Sequence, residues 1–339
     1  MKQKRKSTPA RRAMKLLCTV LGIILVVMAG ATAYFQYLMG RINYVSPEDT
    51  SLFSPDQWKE YLGKGESNTS SGAGNVDFGA SAQIGGRGSN LINILLIGQD
   101  RREGEGRTRS DSMILCTFNK KTKQLTMTSF LRDLYVPIPG YSSNRLNAAY
   151  AAGGMSLLDE TLEKNFGIHV DGNVEVDFAQ FSEIVDLLGG VEIELRQDEA
   201  SYINEETGSD LSGGVCKLRG DQALAYARIR KLDSEGDFGR TARQRKLMSA
   251  MLDAYRGAKL TTLLKLVNQM LPMIATDMNG AKILGYALEL FPMLSGVQIV
   301  SQRVPADGMY TNQMIDGMAV LVADMEATRQ MLAETLTGS

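Results

Sequence analysis

The stretch Leu91-Ile92-Asn93-Ile94-Leu95-Leu96-Ile97-Gly98 decides the fold class of this chain. Six of the seven residues before the glycine are leucine or isoleucine, a pattern typical of a strand that is buried on both faces. A strand of this kind needs other elements packed on each side of its sheet. The stretch therefore predicts an α/β (mixed α+β) fold, with a central β-sheet flanked by helices.

Segments with strand and helix patterns alternate after this first strand. Residues 112–118 and 124–130, joined by a turn that contains Lys and Asn, predict a β-hairpin. Further strands are predicted at 173–178, 191–195 and 297–304, and helices at 155–166, 179–188, 221–227, 240–255, 260–273, 281–291 and 314–336. Together these elements predict one domain over residues 90–339.

The segment between the N-terminal region and this domain, residues 41–89, has a different composition. Residues 41–62 are mixed and are compatible with a short juxtamembrane helix or stalk. Residues 63–89 contain eight glycines and five serines, which is typical of a flexible linker.

The N-terminal region predicts a membrane anchor. Residues 1–15 carry seven basic residues and no acidic residue, whereas the net charge of the whole chain is -1. Residues 16–40 contain no charged residue, and a helix of that length spans the ~30 Å hydrocarbon core of a bilayer. By the positive-inside rule, residues 1–15 are a cytoplasmic tail and residues 41–339 lie outside the cell membrane. The alternative is a cleaved signal peptide, which the length of the apolar segment disfavours.

Composition excludes several kinds of chemistry. The chain has 339 residues, of which 44% are hydrophobic, so a disordered chain is excluded. His169 is the single histidine, and the three cysteines form no CxxC pair, so a zinc site or a disulfide framework is not indicated. The chemistry must therefore depend on carboxylates, arginines and hydroxyls.

Two carboxylates flank the loop that follows the first strand of the domain. Asp100 lies just beyond the carboxyl end of the strand, where open α/β sheets bind ligands, and Asp111 precedes the next strand. Together they are suited to hold Mg²⁺ when phosphate oxygens supply further ligands. The alternative is a solvated charged loop with an Asp–Arg contact.

Basic residues are concentrated in residues 228–246, which contain seven Lys and Arg residues. Arg240 and Gln244 share one face of the predicted helix, because they are four residues apart. Arginine binds phosphate oxygens through a planar fork that lysine lacks, so this cluster favours a phosphorylated ligand. Nucleic acid is disfavoured because stacking aromatic residues are sparse here. Arg132, after the hairpin, is either a strand-edge charge or a ligand clamp.

Several motifs between residues 90 and 250 occur in an order and spacing that chance does not supply. They are Asn93-Ile94-Leu95-Leu96-Ile97-Gly98 with Asp100 and Arg102, Arg109-Ser110-Asp111-Ser112-Met113, Ser129-Phe130-Leu131-Arg132-Asp133 with Val136-Pro137-Ile138-Pro139-Gly140, Leu146-Asn147-Ala148-Ala149-Tyr150, Ala223-Leu224-Ala225-Tyr226-Ala227-Arg228-Ile229-Arg230, Gly236-Asp237-Phe238-Gly239-Arg240 and Arg243-Gln244. Together they resemble the LytR–CpsA–Psr family of membrane-anchored ligases of the Gram-positive cell envelope. One departure is Phe130-Leu131, where the family more often has Ile-Pro before the arginine.

The resemblance implies a function and a set of site residues. Members of this family transfer a teichoic acid or capsular polysaccharide from polyprenyl pyrophosphate to peptidoglycan through a phosphodiester and release polyprenyl phosphate. The implied pyrophosphate-binding residues are Arg109, Arg132, Lys164, Arg228, Arg230, Arg240 and Gln244, and the implied catalytic set is Arg109, Arg132, Arg228, Arg230, Asp237 and Arg240. Asp100 and Asp111 are implied as ligands of Mg²⁺ or Mn²⁺, and the helices over residues 155–188 as the tunnel for the prenyl chain.

Two other functions fit the same sequence. A pyrophosphatase that releases the lipid phosphate to water would bind its substrate with the same residues. A non-catalytic, membrane-tethered regulator or binding module is the second alternative. Direct transcriptional control is disfavoured, because a cytoplasmic tail of residues 1–15 is too short for a helix-turn-helix.

Overall fold

The computed structural model describes residues 40–46, 83–86, 88–99, 110–232 and 236–338, together with Ala33, Gln36 and Tyr37. The chain divides into two units, Met1–Ile42 and Asn43–Ser339, and the second unit is the folded domain. The predicted tail 1–15 and most of the predicted transmembrane segment 16–40 lie outside the described residues. Within the described part of the chain, every helix is too short or too polar to cross a bilayer.

Strands and helices alternate along the domain. The strands are β1 (Asn43–Tyr44), β2 (Leu91–Gln99), β3 (Ser110–Asn119), β4 (Gln124–Phe130), β5 (Tyr135–Val136), β6 (Asn144–Arg145), β7 (Gly172–Asp177), β8 (Val191–Leu195), β9 (Gly214–Leu218), β10 (Ala275–Thr276), β11 (Gln298–Val304), β12 (Tyr310–Ile315) and β13 (Met318–Ala323). The helices are α1 (Leu146–Phe166), α2 (Phe178–Leu187), α3 (Gln197–Thr207), α4 (Gly220–Arg228), α5 (Asp237–Ala254), α6 (Leu260–Met270), α7 (Gly280–Leu290) and α8 (Met325–Thr337).

A mixed seven-stranded sheet forms the centre of the domain, in the order β1-β10-β7-β2-β3-β4-β11. The predicted hairpin is present, since β3 pairs with β4 in antiparallel fashion. The predicted strand β2 pairs with β3 on one side and runs parallel to β7 on the other. Its central position in the sheet explains its apolar sequence.

Helices cover both faces of this sheet, which confirms the predicted fold class. On one face, Leu95 and Ile97 of β2 pack into a core that includes residues of α1 and α8. On the other face, Leu96 packs with Ile114 of β3 and with Met248 of α5. A third core joins α2, α3, α4 and the β8–β9 hairpin to α5. These helices and the carboxyl end of β4 carry the residues of the candidate site.

The predicted final helix over 314–336 was wrong in its first half. Residues 310–323 form the antiparallel hairpin β12–β13, whose turn contains Asp316 and Gly317, both with positive φ angles of 49° and 76°. An Asp-Gly pair favours this turn because both of its central residues need positive φ. The helix begins only at Met325, after Asp324 accepts a hydrogen bond from the backbone N–H of Ala327.

Part of the predicted linker packs against the domain. Ile84 is 4% exposed, and its backbone N–H donates to the carbonyl of Gly167 at 2.8 Å. Its carbonyl accepts hydrogen bonds from the backbone N–H of His169 and from Nδ2 of Asn93. The folded unit therefore includes residues on the N-terminal side of the expected boundary at residue 90. The predicted flexible residues 63–82 lie outside the described residues.

Candidate functional site

Four arginines reach one cavity from separate segments of the chain. Arg132 lies two residues beyond β4, Arg228 is the last residue of α4, Arg230 follows it by two residues, and Arg240 lies in the first turn of α5. All four line a cavity with a volume of about 910 Å³, called here the arginine cavity. Arg132 therefore faces a cavity together with other arginines, which is the arrangement expected of a ligand clamp.

Two carboxylates hold three of these arginines together. The Oδ1 atom of Asp111 lies 2.5 Å from Nη1 of Arg132, 3.7 Å from Nη2 of Arg230 and 3.8 Å from Nη1 of Arg240. Asp237 lies 2.8 Å from Nη2 of Arg240, and 3.8 and 3.9 Å from the Nε atoms of Arg230 and Arg132. Each carboxylate is therefore shared by the same three guanidinium groups. This arrangement leaves the group of five side chains with a net positive charge.

Burial and neighbouring charges act differently on Arg240 and Arg132. The side chain of Arg240 is 3% exposed, and burial lowers its pKa to about 10 against the attraction of Asp237. Burial acts in the same direction on Arg132, but the charges of nearby carboxylates, Asp237 first among them, raise its pKa above the ordinary value. Both arginines stay charged at neutral pH. A bound anion would be stabilised by charges that are already desolvated and fixed in place.

Arg243, which belongs to the same basic run, has a structural role. Its Nε donates to Oε1 of Glu199 at 2.8 Å, and both side chains are almost fully buried. Its Nη1 donates to the carbonyl of Ile229, the residue between Arg228 and Arg230. Arg243 therefore supports the segment that presents those two arginines to the cavity. Sequence reasoning missed this role, because Glu199 lies far away in the chain.

Gln244 lies where the arginine cavity meets a second, apolar cavity. As predicted, it shares a helix face with Arg240, and its Oε1 accepts a hydrogen bond from Oγ of Ser112 at 2.9 Å. The apolar cavity has a volume of about 260 Å³ and extends between the sheet and the helices α2, α4 and α5. Phe178, Leu224, Ala227 and Gln244 line both cavities, so the two share a wall.

Phe178 links the charged and apolar parts of this site. The guanidinium carbon of Arg228 lies 4.8 Å from the centre of the Phe178 ring, within the range of a cation–π contact. The aromatic ring therefore contacts a charged group while it also lines the apolar cavity. A ligand with an anionic end and a hydrocarbon end matches this arrangement.

The apolar cavity is only partly where the sequence placed it. From the predicted region 155–188, it is lined by Phe178, Phe181 and Ile184 at the start and middle of α2. Helix α1 packs on the opposite face of the sheet, so its contribution to a tunnel was predicted wrongly. The structure likewise does not bring Lys164, near the end of α1, into the arginine cavity. Its Nζ lies 2.7 Å from Oε1 of Glu160, and the side chain is 62% exposed.

Two predicted site residues, Asp100 and Arg109, lie outside the described residues. Of the predicted metal pair, only Asp111 is therefore placed, and its carboxylate faces arginines. Among the residues that the structure does describe, no group of three or more His, Cys, Asp or Glu side chains is arranged to hold a metal ion.

Cysteine and histidine chemistry is not supported at this site. Burial raises the pKa of the Cys116 thiol to about 12, so it is not a thiolate at neutral pH. Cys216 and His169 do not line the arginine cavity. The described residues that line the arginine cavity include arginines, carboxylates and hydroxyl groups.

The LytR_cpsA_psr family model matches residues 62–336, which includes every described residue of the arginine cavity. The chain belongs to the LytR–CpsA–Psr family. The resemblance predicted from short motifs over residues 90–250 is thereby confirmed, and the match extends beyond those motifs in both directions.

Relatives in this family carry two kinds of name. The regulatory protein MsrR of Staphylococcus aureus (strain COL) is 40% identical over 162 residues, 47% of this chain and 48% of MsrR. The chain thus matches about half the length of this curated relative. TagU of Bacillus cereus (strain AH820), a polyisoprenyl-teichoic acid–peptidoglycan teichoic acid transferase, is 32% identical over 254 residues, 74% of this chain and 73% of TagU.

A solved structure of the family contains a lipid pyrophosphate. It is YwtF (TagT) of Bacillus subtilis with bound octaprenyl pyrophosphate lipid, which is 26% identical and superposes with a TM-score of 0.56. The match covers 74% of this chain and 91% of that protein.

Proposed function

We propose that this LytR–CpsA–Psr protein transfers a glycopolymer, a teichoic acid or capsular polysaccharide, from a polyprenyl pyrophosphate carrier to peptidoglycan. The observation that carries the proposal is the wall shared by the arginine cavity and the apolar cavity. Guanidinium forks suit the pyrophosphate, and the apolar cavity suits the hydrocarbon chain. The names of TagU and of lipid-bound TagT support the same ligand and reaction.

The apolar cavity supplies binding energy at a distance from the reacting atoms. Burial of each carbon of a prenyl chain stabilises the complex by about 0.8 kcal/mol, so one five-carbon unit contributes roughly 4 kcal/mol. Binding energy of this kind places the pyrophosphate among the arginines before the reaction begins.

The reaction is a displacement at phosphorus. A hydroxyl oxygen of the acceptor attacks the phosphorus on the sugar side of the pyrophosphate, and a new phosphodiester bond forms. The bond from that phosphorus to the bridging oxygen breaks, and the bridging oxygen leaves with its electron pair as part of polyprenyl phosphate. Arg132, Arg230 and Arg240 are placed to stabilise the negative charge on the phosphoryl oxygens, because they converge within 4 Å of Asp111.

A Mg²⁺ ion, or Mn²⁺ in its place, is part of the proposal, with Asp111 and Asp100 as its protein ligands. Carboxylate oxygens suit such a cation, but Asp111 is already shared by three guanidinium groups. Pyrophosphate oxygens would have to complete the ligand set and offset these positive charges. When bound, the cation would neutralise part of the negative charge of the pyrophosphate.

We also propose that the protein is anchored in the cell membrane by its N-terminal region. Residues 16–40 would anchor it in the cell membrane, with residues 1–15 in the cytoplasm and the catalytic domain outside. The support is the charge-free apolar segment after a basic tail. Protease added to intact cells should digest the domain, and complete protection of the domain would contradict this orientation.

Lipid binding tests the proposed ligand. Mass spectrometry of lipids extracted from the full-length protein, purified from membranes, should detect a polyprenyl phosphate or pyrophosphate. Calorimetry with added prenyl pyrophosphate should show saturable binding to protein from which lipid has been removed. A lipid-free protein that also fails to bind added prenyl pyrophosphate would contradict the proposal.

A further inference from the structure

A third cavity lies beside the arginine cavity and has a different chemistry. It has a volume of about 330 Å³ and lies between the β12–β13 hairpin, the segment after β4 and the start of α5. We call it the hairpin groove. Its lining includes Asp133, Asp237, Phe238, Gln313 and Met314.

Asp237 connects the hairpin groove to the arginines of the arginine cavity. This residue lines the groove, and its carboxylate also lies 2.8 Å from Nη2 of Arg240. The adjacent residues Arg132 and Asp133 line the arginine cavity and the groove, respectively. The two cavities therefore approach the same arginines from different sides.

The lining of the groove does not suit a second pyrophosphate, because it has no cationic side chain among the described residues. Asp133 and Asp237 are its charged lining residues, and none of the described residues that line it is Lys or Arg. Both carboxylates are already paired with arginines, Asp133 with Arg145 and Asp237 with Arg240, so the lining offers a polyanion no cationic donor of its own. The remaining lining combines amide side chains, such as Gln313, with apolar ones, and Met314 is 70% exposed. Carboxylates and amides bind sugar hydroxyl and N-acetyl groups, while the apolar side chains suit the C–H faces of sugar rings.

The walls of the groove are tied to the segment that carries Arg132. The backbone N–H of Leu321 in β13 donates to the carbonyl of Asp133 at 3.0 Å. Arg145 connects the same two segments, since its Nη2 donates to the carbonyl of Ala319 at 2.7 Å and its Nε lies 3.3 Å from Oδ1 of Asp133. The groove is therefore preformed, in fixed relation to the arginines.

We infer that the hairpin groove binds the acceptor: a glycan chain without phosphate groups that presents a hydroxyl toward Asp237. This inference rests on the proposed function and adds the location of the acceptor. The attacking hydroxyl oxygen enters from the groove, forms the new bond to phosphorus and loses its proton to solvent. The bond to the bridging oxygen breaks on the side of the arginine cavity, and polyprenyl phosphate leaves there.

Substitutions on the exposed hairpin test this location without altering the arginines. The test variant is the double substitution Asn312→Ala and Gln313→Ala, since both residues line the groove. The control is Gln330→Ala on α8, another exposed glutamine, which does not line the groove. Full-length protein in detergent is assayed for transfer at varied acceptor glycan concentration, and calorimetry measures the Kd for prenyl pyrophosphate.

The double variant should raise the KM for the acceptor about tenfold, as expected for the loss of two polar contacts, and leave the Kd for prenyl pyrophosphate unchanged. Met314→Glu replaces an apolar surface for the sugar rings with a hydrated carboxylate and should raise the same KM without affecting lipid binding. An acceptor KM within twofold of wild type for both variants would overturn the inference while the proposed function stands. Failure of the wild-type protein to bind prenyl pyrophosphate would instead refute the proposed function.

Discussion

Replacing Arg132 with lysine tests whether this residue acts as a two-pronged clamp on the pyrophosphate. In the structure, Nη1 of Arg132 lies 2.5 Å from Oδ1 of Asp111, while its Nε faces Asp237 at 3.9 Å. A guanidinium group can donate hydrogen bonds in both directions at once, because its N–H donors are held in one plane. A lysine ammonium keeps the positive charge but is a single point on a flexible stem.

The expected decrease in kcat follows from the hydrogen bonds of Arg132 that a lysine cannot form. One hydrogen bond to a charged group contributes about 1.5–3 kcal/mol. If that contact is made to the transition state, its loss lowers kcat roughly 10- to 150-fold, since about 1.4 kcal/mol corresponds to a factor of ten. The melting temperature should change little, because the charge is retained and the Arg132 side chain is 24% exposed.

The assay is the initial rate of glycopolymer transfer by the full-length protein at saturating donor. A matched control is Arg329→Lys on α8, where Nε donates to the carbonyl of Asn165 at 2.7 Å, outside the arginine cavity. The control should transfer at the wild-type rate. If Arg132→Lys also does so, Arg132 is not a clamp, and the proposed pyrophosphate site loses one of its three converging arginines.

Three further predictions address the metal, the lipid and the effect of pH. Asp111→Asn should lower turnover sharply, and high Mg²⁺ concentration should restore part of the activity. If added Mg²⁺ restores no activity and the melting temperature falls, the role of Asp111 is purely structural. Ala227 lines both the arginine cavity and the apolar cavity, so the larger side chain of Ala227→Trp should block the passage between them and abolish prenyl pyrophosphate binding in calorimetry. The control, Ala254→Trp at the exposed end of α5, should bind normally. A folded Ala227→Trp variant with wild-type affinity would contradict the proposed position of the lipid. Burial raises the pKa of Asp159 well above its usual range, so its protonated form stabilises the fold in acid and this contribution is lost as pH rises through the raised pKa. Asp159→Asn should therefore increase the free energy of unfolding at neutral pH more than in acid, and an equal pH dependence of urea unfolding in both proteins would exclude this role.

Local patterns in the sequence predicted the elements that build the site. The apolar run of β2 indicated a strand covered on both faces, and Arg240 and Gln244 were placed on one helix face by their spacing. The structure brings both into the wall of the arginine cavity. Arg132 and Arg228 were predicted as site residues through the motifs that carry the family resemblance. Local sequence alone does not show which residues an arginine after a strand will contact in the fold.

Other features depend on tertiary contacts that spacing does not encode. Helix α1 was expected to line the lipid tunnel. The apolar sequence of a helix does not determine which face of the sheet the helix packs against. The pairing of Arg243 with Glu199 was missed because the two residues meet only when α3 packs near α5. The β12–β13 hairpin was hidden within a long segment of helix-compatible residues, although Asp316-Gly317 is a turn signal that was present in the sequence.

Transfer of the glycopolymer to an acceptor is tested most directly by analysis of the products. Full-length protein is incubated with a glycan-labelled polyprenyl pyrophosphate donor and purified peptidoglycan, and both the label on peptidoglycan and the released lipid are quantified. The proposed function predicts one labelled glycan joined to peptidoglycan by a phosphodiester for each polyprenyl monophosphate released. Release of polyprenyl monophosphate with all label in free sugar phosphate would identify a hydrolase, and an unconsumed donor would leave only a binding or regulatory role. Either result would contradict the account.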